Sequence, residues 1–321
     1  MQSGRRRLVV LLLVTSLLTG MFPGIVQPSP AQAAGEASIL VIVNPASANP
    51  FSGYVTEILA AEGFDDVEVR PIADLTSGLL SGRNVVILGE SSPTSAQISA
   101  LDAFVSGGGG LIAMRPVAGL NTILGVTSAA GATAEGYLRI TDQTLGAGLY
   151  SDTIQYHGSA AHYTLQAGTT QVAELYTTRT ASAGRPAVTI APRGGGQAAL
   201  FAYDLGQSVV LTRQGNPANA DLDTDGDGVV RTIDLYRDWT DLERSAVPQA
   251  DVQGRLLSRL IEQVSARPLP RLWFFPGTAP TVLVATADAH ANPDAFYQTE
   301  IDQLDQHNTT ATFYLSDHHT P

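Results

Sequence analysis

Short apolar or alternating runs and amphipathic segments follow each other through the first part of this sequence. The runs typical of strands are residues 38–43, 67–72, 84–88 and 111–114. Between them, residues 51–62 and 94–105 carry apolar side chains at helical spacing, and glycines follow both segments. Strands and helices that alternate at this spacing form right-handed crossovers and a parallel sheet. The sequence therefore predicts an α/β fold.

The pattern changes after about residue 136, where helical spacing becomes rare. Gly-rich turns separate further strand-like runs at 137–141, 171–178, 187–191 and 197–203. Residues 208–211 are typical of either a strand or the start of a helix, and residues 256–264 predict a helix. We expect the additional strands to extend the same sheet, partly in antiparallel orientation.

The first 33 residues have the three parts of a secretory signal peptide. Three arginines at 5–7 precede an apolar run at 8–18, and the tripeptide Ala-Gln-Ala at 31–33 offers small residues around a cleavage position. We interpret the segment as a signal peptide rather than an uncleaved anchor, because the apolar run is too short to span a bilayer. The protein is therefore expected to be secreted, with no membrane contact beyond this segment.

Composition excludes several kinds of chemistry. The 321 residues include no Cys, and all 18 basic residues are Arg, because the sequence contains no Lys. Disulfides, thiolate metal sites, cysteine nucleophiles and lysine Schiff bases are thus excluded. The net charge of −12 becomes −15 once the three N-terminal arginines are removed. Since nucleic-acid binding needs a basic face, no nucleic-acid partner is expected. The sequence does not indicate an oligomeric state.

One loop has the residue spacing of a calcium site. Asp223, Asp225 and Asp227 occupy alternate positions, Gly228 follows at the sharp turn, and Val229 offers its carbonyl oxygen at the next position. Asp234 then lies at the twelfth position of the loop. Hard oxygen ligands at these positions are what Ca²⁺ requires, and three close carboxylates repel one another unless a cation is present. The spacing predicts a structural Ca²⁺ site, and the alternative is a solvated acidic turn.

The calcium-type loop departs from the EF-hand in two ways. The twelfth residue is Asp where an EF-hand has Glu, and the segment before the loop is not a convincing helix. The loop therefore resembles the dockerin type, in which only a following helix is needed, and residues 235–242 are predicted to form it. A second register that starts at Asp221 places Thr232 at the twelfth position, where it is a poor ligand.

Residues 38–264 resemble the class I glutamine amidotransferase-like fold in its ThuA-like form, a flavodoxin-like parallel sheet. The resemblance depends on the strand order, on the Gly-rich segment at 107–116 and on the strand-rich segment at 198–205. In amidotransferases a Cys on the turn after the third strand, paired with a His, performs the reaction. The corresponding turn begins at Gly89 and has no Cys, so glutaminase activity is excluded. We assign residues 34–266 to this domain and residues 267–280 to a linker.

Other nucleophile and metal candidates in this domain are weak. Ser91 and Ser92 follow Gly89 but lack the Gly-x-Ser-x-Gly elbow, so we interpret them as turn or capping residues. His157 and His162 are five residues apart, which is not the spacing of a zinc-binding helix. We interpret both as ordinary loop or pocket histidines.

Residues 281–321 carry a different pattern. Strand-like runs at 281–286 and 309–315 flank a helical segment at 294–307, and Asp288 follows the first strand closely. This arrangement resembles the start of the polysaccharide deacetylase (NodB-homology) family, a distorted (β/α) barrel whose active site lies at the C-terminal ends of its strands. The 42 or so residues are too few to close a barrel. We therefore expect the sequence to be a fragment of a longer protein, with the alternative that the segment packs on the first domain.

The resemblance implies roles for three residues. The family motif is Thr-x-Asp-Asp, in which the first Asp is the general base and the second, with two later His, holds a divalent metal such as Zn²⁺. Asp288 matches the base, whereas Ala289 stands where the metal ligand is expected. His290 is then a candidate catalytic-metal ligand, although neighbouring residues of a strand point to opposite sides.

Two functions follow from these features. The first is the N-terminal part of an exported deacetylase-like hydrolase that removes N- or O-acetyl groups from a carbohydrate polymer or cell-envelope glycan, and that is inactive as this chain alone. The second is a non-catalytic, calcium-stabilised extracellular binding or structural module with a degenerate deacetylase remnant.

Overall fold

The computed structural model describes residues 37–275, 277, 279, 282–288 and 293–314. The predicted signal peptide lies outside the described residues. The chain divides into two compact units after Pro270. Among the described residues, no helix combines the length and the apolar character needed to span a bilayer.

The strands of the chain are β1 (Ile39–Val43), β2 (Val67–Pro71), β3 (Val85–Leu88), β4 (Gly110–Met114), β5 (Val126–Ala134), β6 (Tyr137–Ile140), β7 (Ile154–Gln155), β8 (Ser159–Leu165), β9 (Thr170–Tyr176), β10 (Ser182–Arg193), β11 (Gly196–Phe201), β12 (Thr286–Asp288) and β13 (Thr312–Tyr314). The described α-helices are α1 (Val55–Ala61), α2 (Ser77–Leu80), α3 (Ser95–Ser106), α4 (Leu205–Gln214), α5 (Gln249–Val264) and α6 (Asp294–Gln306).

A nine-stranded sheet forms the centre of the first unit, in the order β2-β1-β3-β4-β11-β10-β9-β6-β7. Its first five strands are parallel, and the remaining neighbours pair in antiparallel fashion. The predicted α/β fold with a parallel sheet and additional strands is thus confirmed. Strands β5 and β8 form a separate antiparallel pair.

The burial of the strands explains their composition. Every residue of β3 and β4 is buried, as are four of the five residues of β1. This burial explains why β1 and β3 consist only of Val, Ile and Leu, and why β4 has no charged or polar side chain. By contrast, β2 lies at the edge of the sheet and is only partly covered, so it tolerates Glu68 and Arg70, which form an ion pair of 2.6 Å.

Local signals fix the helices that flank the sheet. Thr94 and Gln97 form a reciprocal capping box at the start of α3, which then ends at Gly107. Residues 208–211 belong to α4, whose N-cap is Asp204: its side chain accepts a hydrogen bond from the backbone N–H of Gln207.

The second unit is described by itself and contains a strand–helix–strand arrangement. Strands β12 and β13 pair in parallel, with Thr286 opposite Thr312 and Asp288 opposite Tyr314, and α6 connects them. Both strands are shorter than the predicted runs: residues 282–285 precede β12 without regular structure.

Candidate functional site

The acidic loop, residues 223–234, lies in the segment between α4 and α5. One carboxylate oxygen from each of Asp223, Asp225 and Asp227 lies within 4.8 Å of the others. Among the described residues, this is the group of His, Asp and Glu side chains with the geometry to hold a metal ion. The three carboxylates are thus close together in the structure, and the Ca²⁺ site itself stays a prediction.

Backbone N–H groups of the acidic loop surround its first carboxylate. Asp223 accepts hydrogen bonds from the N–H groups of Gly226 (2.8 Å), Asp227 (3.2 Å) and Gly228 (2.8 Å). The N–H of Val229 in turn donates to Asp227 at 2.9 Å. Val229 is half exposed, and both glycines have positive φ values, which lets the chain turn tightly around the carboxylates.

Asp234 has a different role from the three clustered carboxylates. It is 2% exposed and accepts hydrogen bonds from the N–H groups of Thr224 (2.8 Å), Asp225 (3.3 Å) and Arg231 (2.7 Å). These donors, chiefly Arg231, hold the pKa of Asp234 below its ordinary value. Asp234 thus connects the start and the end of the acidic loop through hydrogen bonds. It does not belong to the group of three carboxylates described above.

The helix predicted at 235–242 is wrong. A short 3₁₀ turn, Thr232–Tyr236, follows the loop instead, and Asp238 has a left-handed φ of +52°, which ends any helical continuation. Trp239 then anchors the segment: its indole N–H donates to the carbonyl oxygen of Leu211 at 3.0 Å. The tertiary contacts of this aromatic side chain override the local helical pattern.

The two histidines have different contact partners. His157 is buried; its Nδ1 atom lies 2.7 Å from the Glu135 carboxylate, and its ring stacks on Trp239 with centroids 4.2 Å apart. His162 contacts the hydroxyl of Thr133 at 3.0 Å through Nε2. Neither histidine belongs to the group of possible metal-ligating side chains found among the described residues.

Of the deacetylase-like residues, the structure describes the backbone of one. Asp288 is the last residue of β12 and therefore lies at the C-terminal end of that strand, as predicted. His290 lies outside the described residues. The roles of Asp288 as general base and of His290 as a metal ligand thus stay predictions.

Four further polar side chains meet at the carboxyl end of the parallel sheet. Asn49, Glu90, Arg115 and Asp204 follow β1, β3, β4 and β11, which are neighbours in the sheet. In this strand order the chain reverses direction across the sheet between β1 and β3, and ligands of open α/β sheets bind at such positions. We call these four residues the carboxyl-edge cluster.

Hydrogen bonds join the carboxyl-edge cluster into one network. The Asn49 amide nitrogen donates to Glu90 Oε2 and to Asp204 Oδ2, both at 2.8 Å. Arg115 Nη1 donates to Glu90 Oε1 at 2.5 Å. Asp204 is 1% exposed, and this burial raises its pKa, although the N–H of Gln207 and the Asn49 amide act in the opposite direction.

The surroundings of the carboxyl-edge cluster are closely packed. A Cβ atom on Gly89 would approach the Ser52 side chain to 2.4 Å, and one on Gly206 would approach the Phe51 carbonyl oxygen to 2.6 Å. The Ser91 hydroxyl donates to the Gly89 carbonyl oxygen at 3.0 Å. The glycines let three loops converge on the polar side chains.

Sequence reasoning missed this cluster, because its members come from four distant loops. Each residue is of an ordinary type, and none has a motif around it. One signal for the cluster is present in the sequence, because a polar residue follows the end of each of these parallel strands within a few positions.

A separate cavity of about 860 Å³ lies beside the acidic loop. Its walls come from the end of α4, the loop and the start of α5, and include Thr224, Asp225 and Asp234. Asp225 therefore contributes both to the carboxylate group and to the cavity wall.

Comparison with known proteins gives partial structural likenesses. No model of a protein family matches the sequence, and no curated protein matches it significantly. A β-galactosidase from Rahnella sp. R3 is 19% identical over 52% of this chain and 28% of its own, with a TM-score of 0.41. The cytoplasmic protein STM3548 from Salmonella typhimurium is 12% identical over 72% of this chain and 100% of its own, with a TM-score of 0.45.

A third similar structure is Agd3, described as a novel carbohydrate deacetylase. It is 19% identical over 55% of this chain and 32% of its own, with a TM-score of 0.40. The chain spans 28% of the Rahnella β-galactosidase and 31% of one from Bacillus circulans sp. alkalophilus. Identities and TM-scores this low carry no functional conclusion.

Proposed function

We propose that this chain is the N-terminal part of an exported, metal-dependent carbohydrate deacetylase of the NodB-homology type. The observation that carries the proposal is the parallel strand–helix–strand unit with Asp288 at the C-terminal end of its first strand. Barrel enzymes place catalytic side chains at that position of a strand. The substrate class is the N- or O-acetyl group of a carbohydrate polymer or cell-envelope glycan.

The proposed chemistry assigns Asp288 as the general base that removes a proton from a water molecule. A divalent ion such as Zn²⁺ supplies the polarisation of that water and of the acetyl carbonyl. Ala289 cannot ligate this ion, so His290 is the candidate ligand nearest in sequence. The export of the chain and the role of His290 as a metal ligand are both proposed.

The test uses the protein secreted by its native host. We expect an intact mass above the 33.6 kDa of this chain and acetate release from acetylated chitin oligomers that depends on added Zn²⁺ or Co²⁺. Asp288→Ala should abolish the release, whereas Asp294→Ala, a matched change at the start of α6, should not. Absence of metal-dependent release from the secreted protein would contradict the proposal, and turnover by the 321 residues alone would contradict their inactivity.

A second function is favoured by the acidic loop: a calcium-stabilised extracellular module without catalytic activity. Three carboxylates converge within 4.8 Å, and Arg231 forms an ion pair with one of them, Asp227, so that two negative charges are left for a cation to compensate. Their oxygen atoms are the ligands that Ca²⁺ prefers. Asp223, Asp225, Asp227 and the Val229 carbonyl are the proposed ligands, and Asp234 supports the loop through its hydrogen bonds with the backbone. An Ala289→Asp variant of the secreted protein that gains hydrolysis would show that the deacetylase site is degenerate.

Calcium should raise the melting temperature of this chain. An ion that binds the folded state stabilises it by about 2.7 kcal/mol at a hundred times its dissociation constant. Asp227→Ala should remove the increase, because it deletes one of three clustered carboxylates, whereas Asp65→Ala, an exposed carboxylate outside the loop, should leave it intact. Differential scanning calorimetry with and without excess Ca²⁺ measures both. An unchanged melting temperature of the parent chain would remove the calcium site.

A further inference from the structure

Arg115 in the carboxyl-edge cluster is held in an unusual backbone conformation with an incomplete set of partners. Its φ is +42°, a left-handed value that residues other than glycine rarely adopt. Such backbone conformations often occur at ligand-binding positions. Its Nη1 atom donates to Glu90, but its Nε atom is buried without any acceptor. Because Nε is shielded from solvent, an oxygen atom of a ligand reaches Arg115 through the rest of its side chain, which is 36% exposed.

The charges of the cluster select the kind of molecule that supplies this oxygen. Arg115 carries one positive charge, and Glu90 and Asp204 are two carboxyl groups joined by Asn49. A bound anion would be repelled by the carboxylates, and a bound cation by the guanidinium. A neutral hydroxyl group fits both, because it accepts from Arg115 and donates to Glu90.

Two members of the cluster are open to a ligand, and two hold them in place. The side chains of Arg115 and Glu90 are 36% and 26% exposed, whereas Asp204 is buried. Asp204 orients Asn49, and Asn49 orients Glu90, each through a hydrogen bond of 2.8 Å. The backbone N–H of Arg115 donates to the Phe201 carbonyl oxygen at 2.8 Å, which fixes the residue to β11.

We propose that the carboxyl-edge cluster binds a neutral sugar through a pair of adjacent hydroxyl groups, one that accepts from Arg115 and one that donates to Glu90. Adjacent hydroxyls place an acceptor and a donor side by side, which matches a guanidinium beside a carboxylate. The proposal assigns a sugar-binding role to the first unit and requires no hydrolysis. It therefore stands or falls independently of the deacetylase proposal.

The experiment titrates the whole chain with neutral and anionic probes, followed by isothermal titration calorimetry or by NMR. Glucose, mannose and cellotetraose are the neutral probes, and galacturonate and inorganic phosphate are the anionic ones. We expect at least one neutral probe to bind more tightly than either anion. Arg115→Lys keeps the charge but removes the planar donor group, so it should weaken that binding about tenfold or more.

A second variant and a matched control complete the test. Glu90→Gln should also weaken binding about tenfold, because it removes the charged acceptor. Arg193→Lys, which changes an Arg that pairs with Asp102 at 2.7 Å, should bind like the parent. Circular dichroism and melting curves establish that each variant is folded. The proposal is overturned if no neutral probe binds, if an anion binds more tightly, or if folded Arg115→Lys and Glu90→Gln bind like the parent.

Discussion

Replacement of Leu200 by Ala is expected to lower the free energy of unfolding by about 3–4 kcal/mol. Leu200 is fully buried in β11, the strand that joins the parallel and antiparallel parts of the sheet. It pairs with Ala113 on one side and with Thr189 on the other. Because the neighbours of Leu200 belong to two paired strands, they cannot shift to fill the space left by the shorter side chain. The substitution therefore leaves a cavity.

Urea denaturation followed by circular dichroism measures this effect as a shift of the midpoint at unchanged slope. Leu242→Ala is the matched control: the same atoms are removed from a side chain that is 82% exposed, and the expected change is within about 0.5 kcal/mol. Equal losses in the two variants would show that β11 does not lie in the core.

Gly196→Ala is expected to destabilise the protein by about 2–3 kcal/mol through added volume rather than lost volume. A Cβ atom at this position would lie 2.2 Å from the carbonyl oxygen of Gly109 and 2.4 Å from that of Val105. Both are backbone atoms, which cannot rotate away as the end of a side chain does. The start of β11 must therefore shift away from the end of α3 and from the residue that precedes β4.

Gly53→Ala provides the control for the glycine variant. Nothing lies within 4 Å of a Cβ atom at Gly53, and the residue does not have a positive φ. The same substitution there should be neutral or slightly stabilising, because Ala restricts the unfolded chain more than Gly. Thermal unfolding of the two variants in parallel measures the difference, and a loss of stability of the same size in both would refute the steric explanation.

The elements of the parallel sheet were predictable because they are buried on both faces. The apolar runs predicted at 38–43, 84–88 and 111–114 form β1, β3 and β4 in the structure. Strands β5 and β8 were missed: β5 reads VTSAAGATA and is largely exposed, so it carries neither a long apolar run nor a regular alternation. Their pairing with each other, not their composition, makes them strands.

The candidate sites were predictable to different degrees for the same reason. Clustered side chains within a dozen residues of one another, such as the carboxylates of Asp223, Asp225 and Asp227, are visible in the sequence because their geometry is local. The contacts of Glu90 with Asn49 and Arg115 are set by the order of strands in the sheet, which no local pattern encodes. The stacking of Trp239 on His157 is likewise a tertiary contact that no local pattern encodes. The segment that contains Trp239 therefore does not form the expected helix.

The position of β11 between β4 and β10 has a consequence for the order of folding. Strand β4 ends at Met114 and its parallel neighbour β11 begins at Gly196, so the antiparallel part of the sheet is synthesised between two strands that must touch. A growing chain cannot complete the parallel sheet until residue 201 is available, and closing so long a loop is slow. The first unit therefore lacks its central strand until all the other strands of the nine-stranded sheet have been synthesised.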